Sequence, residues 1–274
     1  MSSLPNFIYG TAWKEAATSA LTQKAVLAGF KAIDTANQKK HYREDYVGDA
    51  LLELASKGIK RESLFLQTKF TYQRGQDHRL PYDPNDSFTK QVQASFASSL
   101  KNLHTDYIDS YLLHGPNSAV GIDNTDWEVW TAIEELHKSG QIKMIGVSNI
   151  GIQQLEELMQ KSKIKPMIVQ NRCYAERGWD ISVREFCLSH GIIYQGFSLL
   201  TANSFLFSNR RLLEITKRHQ VTSEQIVFRF ARQIGILPLT GTSDEEHMKE
   251  DLKIFDFELS QGEIETIHML SFDR

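Results

Sequence analysis

The sequence predicts a (β/α)8 barrel, one domain over residues 1–274, and two observations predict it. Eight short apolar runs alternate with stretches of helical periodicity, and glycines stand where helical stretches give way to strands. Strand-then-helix units with short connections make right-handed parallel crossovers, and the economical closure of eight such units is a barrel. The rival doubly wound sheet usually carries a GxGxxG turn after its first strand; here that turn reads "YGTAWKEA" and does not match.

In chain order, the strands are expected at 7–9, 31–33, 64–69 ("LFLQTK"), 107–114 ("YIDSYLLH"), 142–148 ("IKMIGVS"), 167–170, 192–198 ("IIYQGFS") and 236–240 ("ILPLT"). Helical periodicity marks 22–27, 46–54, 88–103, 130–136, 152–159, 183–188 and 223–233. The clearest helix places Phe88, Val92, Phe96, Leu100 and Leu103 on one face, with Ser87 as its N-cap. Gly29, Gly58, Gly140, Gly191 and Gly235 each follow a helical segment, where a left-handed residue is wanted.

Composition narrows the function. With 274 residues, 41% apolar and 24% charged, the chain can bury a full-sized core. A net charge of −3 and no dense Lys/Arg tract argue against nucleic acid or a membrane surface as partner. Cys173 and Cys187 lie in no CxxC pattern and there is no HExxH, so neither a disulfide nor a metal site is expected. No apolar run approaches the roughly 18 residues of a membrane span, and "MSSLPNFIYG" lacks the pattern of a leader. A cytoplasmic monomer is the expectation.

In such a barrel, chemistry gathers where the strands end. Those positions hold Asp34, Lys69, His114, Ser148 with Asn149, Gln170, Phe197 with Ser198, and Thr240. Lys69 ends a mostly apolar strand and needs an anion, which Asp34 on the neighbouring strand is placed to supply. Free tyrosine, with a pKa near ~10, is a poor acid at neutral pH. A nearby cation favours phenolate, so Tyr42 is expected to donate a proton to a carbonyl oxygen, with His114 adding a hydrogen bond. Each residue also has a structural reading: a turn aspartate, a salt bridge, a core histidine, or loop-satisfying Gln170 and Asn149. Their convergence at the same end of neighbouring strands favours a site.

At this point the chain resembles the aldo-keto reductase family along nearly its whole length. The matching stretches are "GTAWK" from Gly10, "IDTA" from Ile33, "VGDAL" from Val47, Thr68-Lys69, "YIDSYLLHGP" from Tyr107, "GQIKMIGVSN" from Gly140, Gln170, "GFSLL" from Gly196 and "FDFELS" from Phe255. The resemblance implies Tyr42 as the acid, with Asp34, Lys69 and His114 completing a tetrad, and hydride from C4 of a nicotinamide. It implies Ser148, Asn149 and Gln170 around the carboxamide and Phe197 stacked on the ring, where the family usually has tyrosine. It carries over Thr11, Ser198, Leu200, Leu239, Thr240, Gly241, Thr242, His247 and Asp251 as further cofactor contacts.

Three departures matter. The family's usual position for the acid tyrosine falls on Lys39; Tyr42 comes later, so an inserted loop must bulge out, and Tyr46 is the competitor. The lysine and arginine that hold the 2′-phosphate in NADP(H)-preferring relatives are Leu239 and His247 here, while Asp244, Glu245 and Glu246 add negative charge. The helix N-terminus there and the hydroxyls of Thr240, Thr242 and Ser243 still attract a phosphate. NADP(H) is thus the expected cofactor, with weakened preference over NAD(H). Finally, the chain stops at "SFDR", and "GP" at Gly115-Pro116 replaces the usual "WP". Both changes remove walls, leaving Trp13, Phe70, Tyr72 and the polar loop 73–87 to line a wide pocket for a small-molecule carbonyl substrate. The other function classes are a redox-silent cofactor-binding regulator and a Schiff-base enzyme using Lys69 as nucleophile.

Overall fold

Eight parallel strands close on one another in chain order in the computed structural model, which describes residues 5–270. They are β1 Ile8–Gly10, β2 Ala32–Asp34, β3 Phe65–Phe70, β4 Ile108–Leu113, β5 Ile142–Ser148, β6 Ile168–Arg172, β7 Ile193–Phe197 and β8 Leu237–Thr240. The expected (β/α)8 barrel is what the chain forms, each strand displaced from its expected bounds by no more than about two residues. The readings that used the chain's extreme ends fall partly on residues 1–4 and 271–274, which lie outside the described residues.

Around the barrel run α1 Thr18–Ala28, α2 Glu44–Ser56, α3 Phe88–Asn102, α4 Asn124–Lys138, α5 Ile152–Lys161, α6 Ile181–Ser189, α7 Arg210–His219, α8 Ser223–Gln233, α9 Glu245–Leu252 and α10 Gln261–Met269. Ser87 caps α3 by accepting a hydrogen bond from the Lys90 N–H. Several helices begin earlier than their apolar rhythm does, because the first turn is polar. In α4, Asp123 and Asp126 form a reciprocal capping box before the first buried aliphatic residue, Val129. Only Leu212 and Ile215 of α7 are buried, too few to show a period in "RRLLEITKRH". The five junction glycines all have positive φ, from 67° to 128°, a region that costs a residue with Cβ but not glycine.

The strand pleat decides which side chains enter the barrel, since alternate residues face opposite sides. Ile8, Ala32 and Leu237 pack together with Phe65, Ile193 and Leu239 as an apolar plug. Two residues further along their strands come Asp34, Gln67 and Gln195. Gln67 on β3 and Gln195 on β7 exchange hydrogen bonds of 2.8 and 3.1 Å although their strands are not neighbours, so they meet through the interior. The barrel therefore changes from apolar to polar toward the strand C-termini. Among the described residues, no helix is long and apolar enough to cross a membrane.

Candidate active site

The inward register of β3 carries Phe65, Gln67 and then Lys69, whose side chain is fully buried. Its Nζ donates to Asp34 Oδ1 at 2.6 Å, Asp34 Oδ2 at 2.7 Å and the Thr35 carbonyl at 2.8 Å. Three acceptors for three N–H groups leave the ammonium satisfied. Asp34 Oδ1 also receives Gln67 Nε2 at 2.7 Å and Gln170 Nε2 at 3.1 Å. Gln195 accepts from both Gln67 and Gln170, tying the ion pair into a floor of three glutamines. Sequence reasoning missed Gln67 and Gln195; their signal is polar residues at inward positions of otherwise apolar strands.

Beyond Asp34 the chain turns outward at exposed Lys39 and Lys40 and returns through a turn in which the N–H groups of His41 and Tyr42 both donate to the Gln38 carbonyl. That is the bulge the insertion demands. It brings the Tyr42 ring centroid within 5.4 Å of Lys69 Nζ and 6.0 Å of the His114 ring. Tyr46 instead lies in α2 with the Arg43 guanidinium 3.5 Å from its ring centre, away from the cavity.

Burial, and then the negative charge of Asp34, hold the Tyr42 phenol above its ordinary pKa. This corrects the expectation that Lys69 lowers it: in the resting site the ammonium is already matched by Asp34, so the pair offers the phenol little net positive charge. Burial also lowers the Lys69 ammonium, with Asp34 opposing. His114 is pushed down to about 3, first by burial and then by Lys69 and His41, so its imidazole is neutral. Its Nδ1 lies 2.7 Å from Thr71 Oγ1, a contact no sequence motif announced.

Tyr42 and His114 line a cavity of about 640 Å³ at the barrel mouth, within the usual range for small-molecule sites. Asp34, Ser148, Asn149, Gln170, Phe197, Ser198, Leu200, Leu239, Thr240, Gly241 and Thr242 line it too, as does Trp13. Ser148 Oγ donates to the Gln170 carbonyl at 2.6 Å, and Asn149 Nδ2 donates to the His114 carbonyl at 2.8 Å. Trp13, Asn149 and Ser198 all take left-handed backbone, with φ of 61°, 53° and 56°. Such strain in residues with Cβ gathers at functional rims. Lys14 and Arg172, which the sequence reading passed over, also line the cavity, and Lys14 bridges it by donating to the Gly241 carbonyl.

Five of the residues picked from sequence lie elsewhere. Phe70 follows inward-facing Lys69, so the pleat turns it to the outside of the wall, where it is fully buried against Tyr72 and Tyr82. Tyr72 is buried with its hydroxyl on Asp126 at 2.7 Å, and loop 73–87 reaches only an adjoining cavity, through Arg74 and Gly75. Thr11 is buried beneath the site, its hydroxyl donating to the Asp34 carbonyl at 2.9 Å. His247 is exposed on α9, off the cavity wall. Asp251, on the same helix, is buried and bonded to the Thr240 hydroxyl, and burial raises its carboxyl to about 7.

The N-terminus of α9 is already filled. Asp244 Oδ1 accepts from the Glu246 and His247 N–H groups at 2.8 and 3.1 Å, and the Asp244 N–H donates to Thr242 Oγ1 at 3.1 Å. Two of the first-turn donors expected there for a phosphate, the N–H groups of Glu246 and His247, are thus occupied by the protein's own carboxylate.

The whole-chain comparisons agree with this architecture. The sequence pattern of the Aldo/keto reductase family matches residues 9–271. The chain belongs to that family. Within it, glyoxal reductase of Bacillus subtilis is 33% identical over 249 residues, 91% of this chain and 82% of the relative. The crystal structure of an aldo/keto reductase from Brucella melitensis superposes with a TM-score of 0.83 at 29% identity, covering 97% of this chain and 95% of that one. An aldo-keto reductase of Bombyx mori, solved in complex with NADP, has a TM-score of 0.80 at 25% identity, covering 97% and 89%. As an aldo/keto reductase, the chain falls in a class of oxidoreductases that draw on nicotinamide cofactors.

Proposed function

We propose that this protein reduces the carbonyl group of small aldehydes or ketones with a nicotinamide cofactor, and that Tyr42 is its general acid. The observation that carries this reading is the arrival of Tyr42 beside His114 and Lys69 at the inner end of the 640 Å³ cavity, despite the displaced position of the tyrosine in sequence.

The cavity suits the cofactor. Gln170 spends both N–H groups on Asp34 and Gln195, leaving Oε1 to accept from a carboxamide, and the Asn149 side-chain oxygen is a second acceptor. Phe197 offers an aromatic face. Ser198, Leu200 and the Leu239–Thr242 stretch line the rest, with Lys14 as a cation for the phosphates. The bound dihydronicotinamide supplies a hydride; the Bombyx mori relative supports NADP(H), and NAD(H) is the second option.

The chain's own residues supply the proton and hold the carbonyl. Tyr42 O–H and the neutral His114 ring donate hydrogen bonds to the carbonyl oxygen, which gains negative charge as the reaction proceeds. The high resting pKa keeps the proton on Tyr42 until that charge develops. The phenolate then left behind sits beside the Lys69 ammonium, which Asp34 keeps oriented.

Lys69 as a Schiff-base nucleophile fits poorly, because its three N–H groups are spent on Asp34 and Thr35 and it does not line the cavity. Oxidation of NADPH, followed by loss of the reduced nicotinamide's near-ultraviolet absorbance, with glyoxal and 4-nitrobenzaldehyde tests the proposal. Steady turnover is expected. Cofactor binding without turnover of either aldehyde would favour the redox-silent regulator.

A further inference from the structure

Ile168, Gln170 and Arg172 share one side of β6 by the strand pleat, and Gln170 is fixed as inward by its bonds to Asp34 and Gln195. Arg172 is therefore the next inward side chain toward the mouth, placed beside Phe197 in the β6–β7 register with its guanidinium carbon 5.6 Å from the Phe197 ring centre. It lines both the catalytic cavity and a second opening of about 480 Å³. Arg177, from the turn Ala175–Asp180, lines that second opening as well, stacked 5.1 Å from the Tyr174 ring centre.

No carboxylate oxygen of the described residues pairs with either guanidinium. Asp180, the acid that lines the second opening, is occupied at Oδ2 by Asn171 Nδ2 at 2.9 Å and the Tyr194 hydroxyl at 2.7 Å. In the main cavity, Asp34 is neutralised by Lys69, so Lys14 and Arg172 leave the walls with an excess of positive charge.

We infer that Arg172, with Arg177 behind it, is an anion subsite that selects carbonyl substrates bearing a carboxylate. The inference rests on the reductase reading and names its substrate class. A guanidinium presents paired N–H donors matched to the two oxygens of a carboxylate, and on an aromatic face it is held in place without a competing protein anion.

The test compares 4-carboxybenzaldehyde with its neutral methyl ester, in wild type, Arg172→Met and Arg172→Lys. Wild type is expected to favour the acid, and Arg172→Met to raise KM for the acid roughly ten- to hundredfold with far less effect on the ester. Arg172→Lys should fall between, because an ammonium keeps the charge but not the paired geometry. Glyceraldehyde 3-phosphate against glyceraldehyde separates carboxylate from phosphate recognition: a larger charge effect there would reassign the anion. Calorimetric titration of benzoate into the NADP⁺-saturated protein reads the subsite without turnover, and Arg172→Met should abolish that binding. Equal losses for acid and ester, or a rise in the Kd for NADP⁺, would overturn the inference by placing Arg172 with the fold or the cofactor. If benzoate binding depends on Arg172 but neither aldehyde is reduced, the subsite stands and the reductase reading fails.

Discussion

Thr71 Oγ1 lies 2.7 Å from His114 Nδ1 and anchors the imidazole at that nitrogen. With the ring neutral, the proposed donation from His114 to a carbonyl oxygen requires the proton on Nε2, and the Thr71 hydroxyl supports that tautomer if it donates to Nδ1. Thr71 is thus a positioning residue. Thr71→Val is expected to lower kcat roughly tenfold with KM little changed, and Thr71→Ser to restore most of it. With His114 pushed down to about 3, the rate of reduction should show no histidine inflection between about pH 5.5 and 8. An inflection in that window that disappears in His114→Gln would show that the imidazole is charged.

Replacing Lys69 by Met leaves the Asp34 carboxylate in the barrel with only Gln67 and Gln170 as partners. Removing one member of a buried pair costs about 3–5 kcal/mol, so both activity and urea midpoint should fall sharply. A variant of wild-type stability would mean that Gln67 and Gln170 suffice to hold the carboxylate.

Asp251 gives a pH dependence of the opposite sign to an ordinary ion-paired carboxylate. Its folded pKa is raised to about 7, so the native state holds a proton that the unfolded chain releases at lower pH. Stability on this account is full below the unfolded value and falls as pH rises through about 7. Asp251→Asn should therefore raise Tm by about 2–4 °C at pH 8 and leave it unchanged at pH 4. Equal effects at both pH values would contradict the assignment.

The filled N-terminus of α9 bears on cofactor choice. Asp244 already accepts the helix N–H groups, and Lys249 is held by Glu246 at 2.8 Å. The ratio of kcat/KM for NADPH over NADH is expected to be small, and to rise in Asp244→Ser, which keeps a cap but removes the charge. A large ratio indifferent to Asp244→Ser would place the 2′-phosphate on another cation.

The barrel was legible because each strand and helix carries its own period, and the junction glycines punctuate them. Lys69 and Asp34 were legible for a related reason: a lysine ending an apolar strand demands a partner. Phe70 was misplaced by overlooking a rule the sequence already contained, since it alternates with Lys69 and must face outward. Other features depend on long-range contacts. Nothing local in "KFTY" places Thr71 against His114, and nothing in "TSDEEH" says that Asp244 will close the helix end rather than leave it open.

The central claim is that the displaced tyrosine, Tyr42, is the acid. Its most direct test is single-turnover reduction of 4-nitrobenzaldehyde by the NADPH complexes of Tyr42→Phe and Tyr46→Phe, with cofactor Kd measured alongside. The proton moves only as the carbonyl is reduced, so Tyr42→Phe should lose at least roughly a hundredfold in rate with nearly unchanged cofactor affinity, and Tyr46→Phe should keep its rate. Retention of the rate in Tyr42→Phe, together with its loss in Tyr46→Phe, would contradict the account.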